Sequence, residues 1–405
     1  MPNSPAIGES NLRQPLAVML SHAAQHSLYY REQGWAQRMR AGDRIRFGEI
    51  PITAKALVRD RTAEFFATFI PPGDGAVIVK HTSGSTSQPM EVRKTARHFQ
   101  INTAENHRLQ DGWDYGSHKK TVHITMPMAD HPAGQIEETG TAGGGRRWKL
   151  YSAESRAGFE LLRRVCPSMV RASPSTISAV LEYGGDDLAV LPIALIATIG
   201  EVVSEELRDL VRRIPGCRLV DNYGTVETGL IAVQCPRCDA YHPADRHLVL
   251  ELIADDGRPS QPGEMGRIIA TTLFNRAMPL IRYETGDYAT LASSNHCPRS
   301  PRAIARIVGR ESNLFKLPDG RRVIPRLPHS VAHELALRQF KLIQRTLTDI
   351  ELLYIPRDDG AVIADDTAQG MIDRYMAPGF RVRCMRVSEL PRAPSGKYLL
   401  HECLI

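Results

Sequence analysis

The sequence predicts an α/β fold: a large N-terminal domain over residues 1–309, built of mixed sheets and packed helices, followed by a small α+β domain over 310–405. Two pattern observations carry this expectation. Apolar runs of strand length alternate with helix-like segments as far as residue 300, and after Gly309-Arg310 the chain changes to a short stretch with its own helix and strands. The third observation is size, since 405 residues with 42% hydrophobic content can bury a large core and are expected to divide into two domains.

Taken in order, the strand-like runs are 76–79, 121–125, 191–199, 218–220 and 248–253. The helix-like segments are 16–30, 56–69, 95–110, 154–165, 175–183 and 204–213, where apolar residues recur at three and four positions. In the small domain a helix is expected over 327–339 and strands over 350–354 and 381–387. The cluster Gly143-Gly144-Gly145 reads as a turn between strands, because no helix-opening pattern follows and Trp148-Lys149-Leu150-Tyr151 looks extended.

Composition excludes several classes. The net charge of +6 is spread along the chain among the acids, with no basic block and no aromatic interleaving, so a nucleic-acid partner is not expected. The longest apolar run, 188–199, contains Pro192 and is too short to cross a bilayer, and no N-terminal signal is seen; no membrane partner and a cytoplasmic location are expected. Seven cysteines, an odd number, fit a reducing compartment better than a disulfide framework.

The run His81-Thr82-Ser83-Gly84-Ser85-Thr86-Ser87-Gln88-Pro89 follows the apolar stretch 76–79. Glycine lets the backbone approach an anion, and the amides and hydroxyls supply donors, so the run suits phosphate. It lacks the two-glycine, Lys-Ser/Thr spacing of a Walker loop. Four further motifs follow: Asp221-Asn222-Tyr223-Gly224-Thr225-Val226-Glu227, Tyr283-Glu284-Thr285-Gly286-Asp287, Val308-Gly309-Arg310 and Leu390-Pro391-Arg392-Ala393-Pro394-Ser395-Gly396-Lys397. In that order they resemble the acyl- and aryl-adenylating superfamily of acyl-coenzyme A ligases, adenylation domains and luciferases, from about residue 15 to the C-terminus. The opening segment ending Ser27-Leu28-Tyr29-Tyr30-Arg31 and a phosphate loop without the usual lysine resemble the phenylacetate-coenzyme A ligase branch.

The resemblance implies an AMP-forming acid-thiol ligase: a large adenylate-forming domain, a mobile C-terminal lid, and the cofactors ATP and magnesium. Attack of a carboxylate on the α-phosphate of ATP releases pyrophosphate and replaces a poor leaving group by AMP, which requires the protein to hold two anions together. Thr82, Ser83, Gly84, Ser85 and Thr86 would cradle the β- and γ-phosphates, and Glu227 would coordinate magnesium. Adenine would stack on Tyr223, with Asp221 accepting from its exocyclic amine, Asn222 and Gly224 beside it and Gly200-Glu201 covering the other face, and Thr225 would supply the hydroxyl near the α-phosphate that Val226 lacks. Asp287 and Arg310 would bind the ribose. Lys397, on the lid, would contact the carboxylate and the charge developing at the α-phosphate. The sequence departs from the family at Ser87, Met90, Val226 and the pivot position Ser312.

The resemblance also implies a structural zinc held by Cys235, Cys238, His242 and Cys297, with Arg299 standing where a second cysteine is usual. The acyl group is expected to be aromatic or heteroaromatic, bounded by 126–138, 173–178 and 199–202, with His131 either near the carboxylate or a loop histidine without a role. The acceptor is expected to be coenzyme A or the pantetheine thiol of an acyl or peptidyl carrier protein. An amine or other small nucleophile, a non-catalytic nucleotide-binding relative, and a homodimeric assembly stay open.

Overall fold

The computed structural model describes residues 9–82, 89–111, 120–127, 130–140, 144–152, 154–201, 203–235, 237–293, 303–311, 314–323, 325, 334–357, 362–376, 379–391 and 401–405. Ser83, Gly84, Ser85, Thr86, Cys297, Ser312 and Lys397 lie outside these residues. The described chain falls into two compact units, one ending at Ile307 and the other starting at Val308.

A twelve-stranded sheet organises the first unit. Five strands form its parallel half, in spatial order Arg146–Tyr151, Lys120–Thr125, Met169–Ala172, Leu195–Ile199 and Arg218–Thr225. In chain order the helices Ser155–Val165, Pro174–Gly184 and Glu205–Arg212 join Arg146–Tyr151 to Met169–Ala172, Met169–Ala172 to Leu195–Ile199 and Leu195–Ile199 to Arg218–Thr225, while the strand Ile136–Gly140 lies between Lys120–Thr125 and Arg146–Tyr151. These helices pack against Val122, Ile124, Leu150, Val170 and Ile196 on one face of the sheet. On the other face, Leu109 of the helix Ala96–Asp111 meets Leu195, Val220 and Val233. Strand residues therefore alternate between two apolar layers, which explains why 195–199 read as a continuous apolar run.

Antiparallel strands Gly229–Gln234, Tyr241–Pro243, Ile304–Arg310, Tyr283–Leu291, Met265–Thr272 and Leu248–Ile253 extend the sheet beyond Arg218–Thr225. Of these, Leu248–Ile253 matches the strand-like run expected at 248–253, and the other five were not among the expected strands. Of the turn expected at Gly143–Gly145, Gly143 lies outside the described residues, and Gly144 and Gly145 precede Arg146–Tyr151, which pairs antiparallel with Ile136–Gly140.

Three expectations are corrected. The segment 16–30 is two helices, Glu9–His26 and Leu28–Arg31, broken at Ser27, whose backbone is extended and whose hydroxyl donates to the Glu64 carbonyl. The segment 56–69 likewise divides into Lys55–Asp60 and Thr62–Phe65 at Arg61. Of the helix expected over 327–339, residues 327–333 lie outside the described ones, and 337–339 belong instead to the strand Leu337–Gln344, whose residues pair with Asp349–Pro356 and bury Leu337, Leu342 and Ile343; there tertiary pairing overrides the helical spacing.

That second unit has a four-stranded mixed sheet in the order Arg381–Arg386, Asp349–Pro356, Leu337–Gln344 and His401–Cys403. The helix Asp365–Tyr375 bridges the parallel pair Asp349–Pro356 and Arg381–Arg386, and Ala368 and Ile372 close the core around Phe315, Leu342 and Leu352. It is α+β, as the sequence predicts.

Candidate functional site

Gly200, Glu201, the motif Asp221–Glu227 and Asp287 gather where the parallel half of the sheet meets the antiparallel half. Asp221, Asn222 and Tyr223 end the last parallel strand, Gly200 and Glu201 follow the end of its neighbour, and Glu227 lies in the turn that leads into Gly229–Gln234. Carboxyl ends of parallel strands are the usual place for a ligand in such sheets. Gly224 is required by packing: a Cβ there would meet the Gly229 carbonyl oxygen at 2.5 Å.

Two motifs far apart in sequence are knotted here by hydrogen bonds. The Tyr223 hydroxyl donates to Asp287 Oδ2 at 2.7 Å, and the Tyr283 hydroxyl donates to Glu227 Oε1 at 2.9 Å. Lys55 Nζ joins them, 3.0 Å from Glu227 Oε1 and donating to the Thr285 carbonyl at 3.2 Å. Glu227 is 2% exposed. Burial acts to raise its pKa, but the charge and hydrogen bond of Lys55, its own backbone amide and the Tyr283 hydroxyl outweigh this and hold the carboxyl below its ordinary value. An ionised, preorganised carboxylate suits a hard cation such as magnesium.

Asp221 is placed differently from the expectation that it accepts from adenine. Both of its oxygens are already engaged: Thr198 Oγ1 donates to Oδ1 and the Tyr241 hydroxyl to Oδ2, each at 2.8 Å. Burial pushes its carboxyl up to about 6, against the pull of these hydrogen bonds. The neighbouring Asn222 donates through Nδ2 to the Thr198 carbonyl, while its Oδ1 is buried without a partner and is the better placed acceptor for a ligand donor. Thr225 Oγ1 accepts from the Thr228 amide and braces the turn, and Thr82 Oγ1 accepts from the Met90 amide across the base of the phosphate run.

Glu201 Oε2 accepts from the Ser175 amide, tying the Gly200 turn to the start of the helix Pro174–Gly184; Gly200 has φ +92°, natural only for glycine. His131 stacks on Tyr151 with ring centroids 4.3 Å apart, and its Nδ1 lies 3.0 Å from Glu137 Oε1 without hydrogen-bond alignment. Arg310 ends the strand Ile304–Arg310, which crosses the boundary between the units at Ile307 and Val308, and belongs to the second unit.

Sequence reasoning missed Lys55 and Lys94. Lys94 is buried on the strand Glu91–Thr95, and burial pulls its ammonium down to about 8 against the favourable charge of Glu227. The alternation Met90, Val92, Lys94 was the available signal, because it puts the lysine on the face that buries two apolar residues.

The donor atoms of Cys235, Cys238 and His242 lie within 4.8 Å of one another. A tight turn forms the cluster: the Asp239 amide donates to the Cys235 carbonyl, Asp239 has φ +56°, and the Arg237 amide donates to Cys235 Sγ. Two thiols and an imidazole in this arrangement fit three positions of a tetrahedral zinc site.

Comparison with known proteins adds the following. A family model described as AMP-binding enzyme matches residues 15–272. The chain is 25% identical over 316 residues to the phenylacetate-coenzyme A ligase of Escherichia coli (strain K12), a match covering 75% of this chain and 71% of that protein. A second relative, the phenylacetate-coenzyme A ligase of Pseudomonas putida, is 25% identical over 276 residues, covering 66% and 62%. Among solved structures, 2-hydroxyisobutyryl-CoA ligase in the postadenylation state with 2-HIB-AMP superimposes with TM-score 0.72 at 14% identity, over 99% of this chain and 93% of that one.

Proposed function

The chain belongs to the AMP-binding enzyme family and is an AMP-forming acyl-adenylating enzyme; on that premise we propose that its substrate is an aromatic or heteroaromatic carboxylic acid and that the acyl group passes from AMP to the thiol of coenzyme A. The phenylacetate-coenzyme A ligases it is similar to support both choices. The observation that carries the adenylation chemistry is the knot of Tyr223, Asp287, Tyr283, Glu227 and Lys55. It ties together the ring that we assign to adenine, the carboxylate that we assign to the ribose hydroxyls and the acid that we assign to the cation.

In this reading Glu227 holds magnesium, which neutralises phosphate charge when bound. Asn222 Oδ1 accepts from the adenine amine, Asp287 receives the ribose hydroxyls, and the Thr82 run holds the outer phosphates. Arg310 and Lys397 act from a C-terminal lid over 310–405, Lys397 at the reacting carboxylate and α-phosphate. Cys235, Cys238 and His242, with Cys297, hold a structural zinc.

Carboxylate-dependent ATP–pyrophosphate exchange tests the reading. Exchange is expected with aryl or heteroaryl acids, and Lys397→Ala is expected to lower it by roughly 10²-fold or more while ATP binding persists. Unchanged exchange in that variant removes Lys397 from the chemistry.

A further inference from the structure

The second face of the parallel strands carries a row of cations. Val122, Ile124, Leu150, Val170 and Ala172 face the three connecting helices; by strand alternation Thr121, His123, Arg147, Lys149 and Arg171 lie on the opposite face. Lys149, His123, Arg171 and Ala197 are in register across four strands. Burial pushes His123 down to about 4, helped by the charges of Arg171, Lys149 and Arg147. Burial and the charge of Arg147 also lower Arg171.

No carboxylate among the described residues acts on His123 or Arg171. Glu137 stands opposite Lys149, but its oxygens accept from the Tyr151 hydroxyl and from Gln135, and it faces His131. Thr121 Oγ1 is buried without a partner in the next row. A half-buried guanidinium with no anion beside it among the described residues is unfavourable, so the row is incomplete as it stands.

Its place says what completes it. The strand order turns back between Lys120–Thr125 and Met169–Ala172, the point at which such sheets bind ligands beyond the carboxyl ends of their strands. Arg171 lies two residues before Ser173, about 7 Å along the strand and on the same face as Tyr151, on which His131 stacks. We propose that the acid activated by this enzyme carries a second anionic group, a carboxylate, sulfonate or phosphonate at the end remote from the reacting carboxyl, and that Arg171 binds it with His123, Lys149 and Arg147 beside it.

This inference rests on the adenylation reading, and the test separates the two. ATP–pyrophosphate exchange without thiol is measured for matched acids: benzoate against 4-sulfobenzoate and terephthalate, phenylacetate against 4-carboxyphenylacetate and 4-phosphonophenylacetate. The unaltered chain is expected to favour the dianionic member of at least one pair by roughly tenfold or more in kcat/KM. Arg171→Met is expected to erase that preference with KM for ATP unchanged, and Arg171→Lys to restore part of it.

Exchange that is equal or better with the monoanionic members overturns the inference while leaving adenylation intact, and the ratio in the unaltered chain decides this even if Arg171→Met fails to fold. A preference that survives in folded Arg171→Met also overturns it. An Arg171→Met effect confined to KM for coenzyme A assigns the row to the phosphates of the thiol donor and overturns it as well. No exchange with any acid contradicts the adenylation reading and this inference with it.

Discussion

At the scale of single residues, two buried carboxylates in one site are set to opposite protonation tendencies by their neighbours. Lys55 and Tyr283 keep Glu227 below its ordinary pKa, whereas burial lifts Asp221 from 3.8 to about 6. Between those two values the folded chain retains a proton on Asp221 that the unfolded chain releases, so this residue's contribution to stability falls as pH rises through the window. Asp221→Asn keeps an acceptor for Thr198 and removes the titration. Its melting temperature is expected to gain on the unaltered chain between about pH 4 and pH 7, by the equivalent of on the order of 2–3 kcal/mol, in paired thermal melts; a constant difference across that range refutes the assignment. Glu227, Asp287 and Tyr223 were legible because their motifs can be read in order. Lys55, Thr198 and Tyr241 were not, because each is twenty or more residues from its partner in the sequence and no local pattern marks it.

At the scale of elements, the parallel strands and their helices announced themselves through period-3.6 and apolar-run signals, and four of the seven expected helices lie within one or two residues of the observed ones. Of the antiparallel strands beyond Arg218–Thr225 only Leu248–Ile253 did, as an apolar run; Tyr283–Leu291 mixes Tyr, Glu, Thr, Gly and Asp, and its motif looked like a turn. The helix break at Arg61 is likewise a tertiary effect: Arg61 pairs with Glu64 and stands over the Tyr29 ring at 5.3 Å. The turn from Cys235 to His242 has both a hydrogen-bonded loop and a donor cluster. Cys235→Ser is expected to lose zinc and to lower the melting temperature; equal metal content and an equal melting temperature would remove the structural zinc.

At the scale of the whole molecule, two units with separate cores divide the chain. The first holds the frame for nucleotide and acid, and the proposal gives the second the lysine of the reacting centre. No described helix is long and apolar enough to cross a membrane. The α/β and α+β character of the two parts was legible because apolar periodicity survives in a single sequence. The basic row on the second sheet face was not, because Lys149, His123 and Arg171 become neighbours only through the register of three strands.

The central claim is that a carboxylate oxygen attacks the α-phosphate of ATP. It is tested most directly by following ¹⁸O from a doubly labelled carboxylic acid through one complete turnover with coenzyme A. Attack at the α-phosphate releases pyrophosphate, and thiol attack on the acyl carbon then expels AMP with the former carboxylate oxygen. One ¹⁸O is expected in AMP and none in pyrophosphate. Label in inorganic phosphate with ADP as the nucleotide product, or unlabelled AMP, would contradict the account.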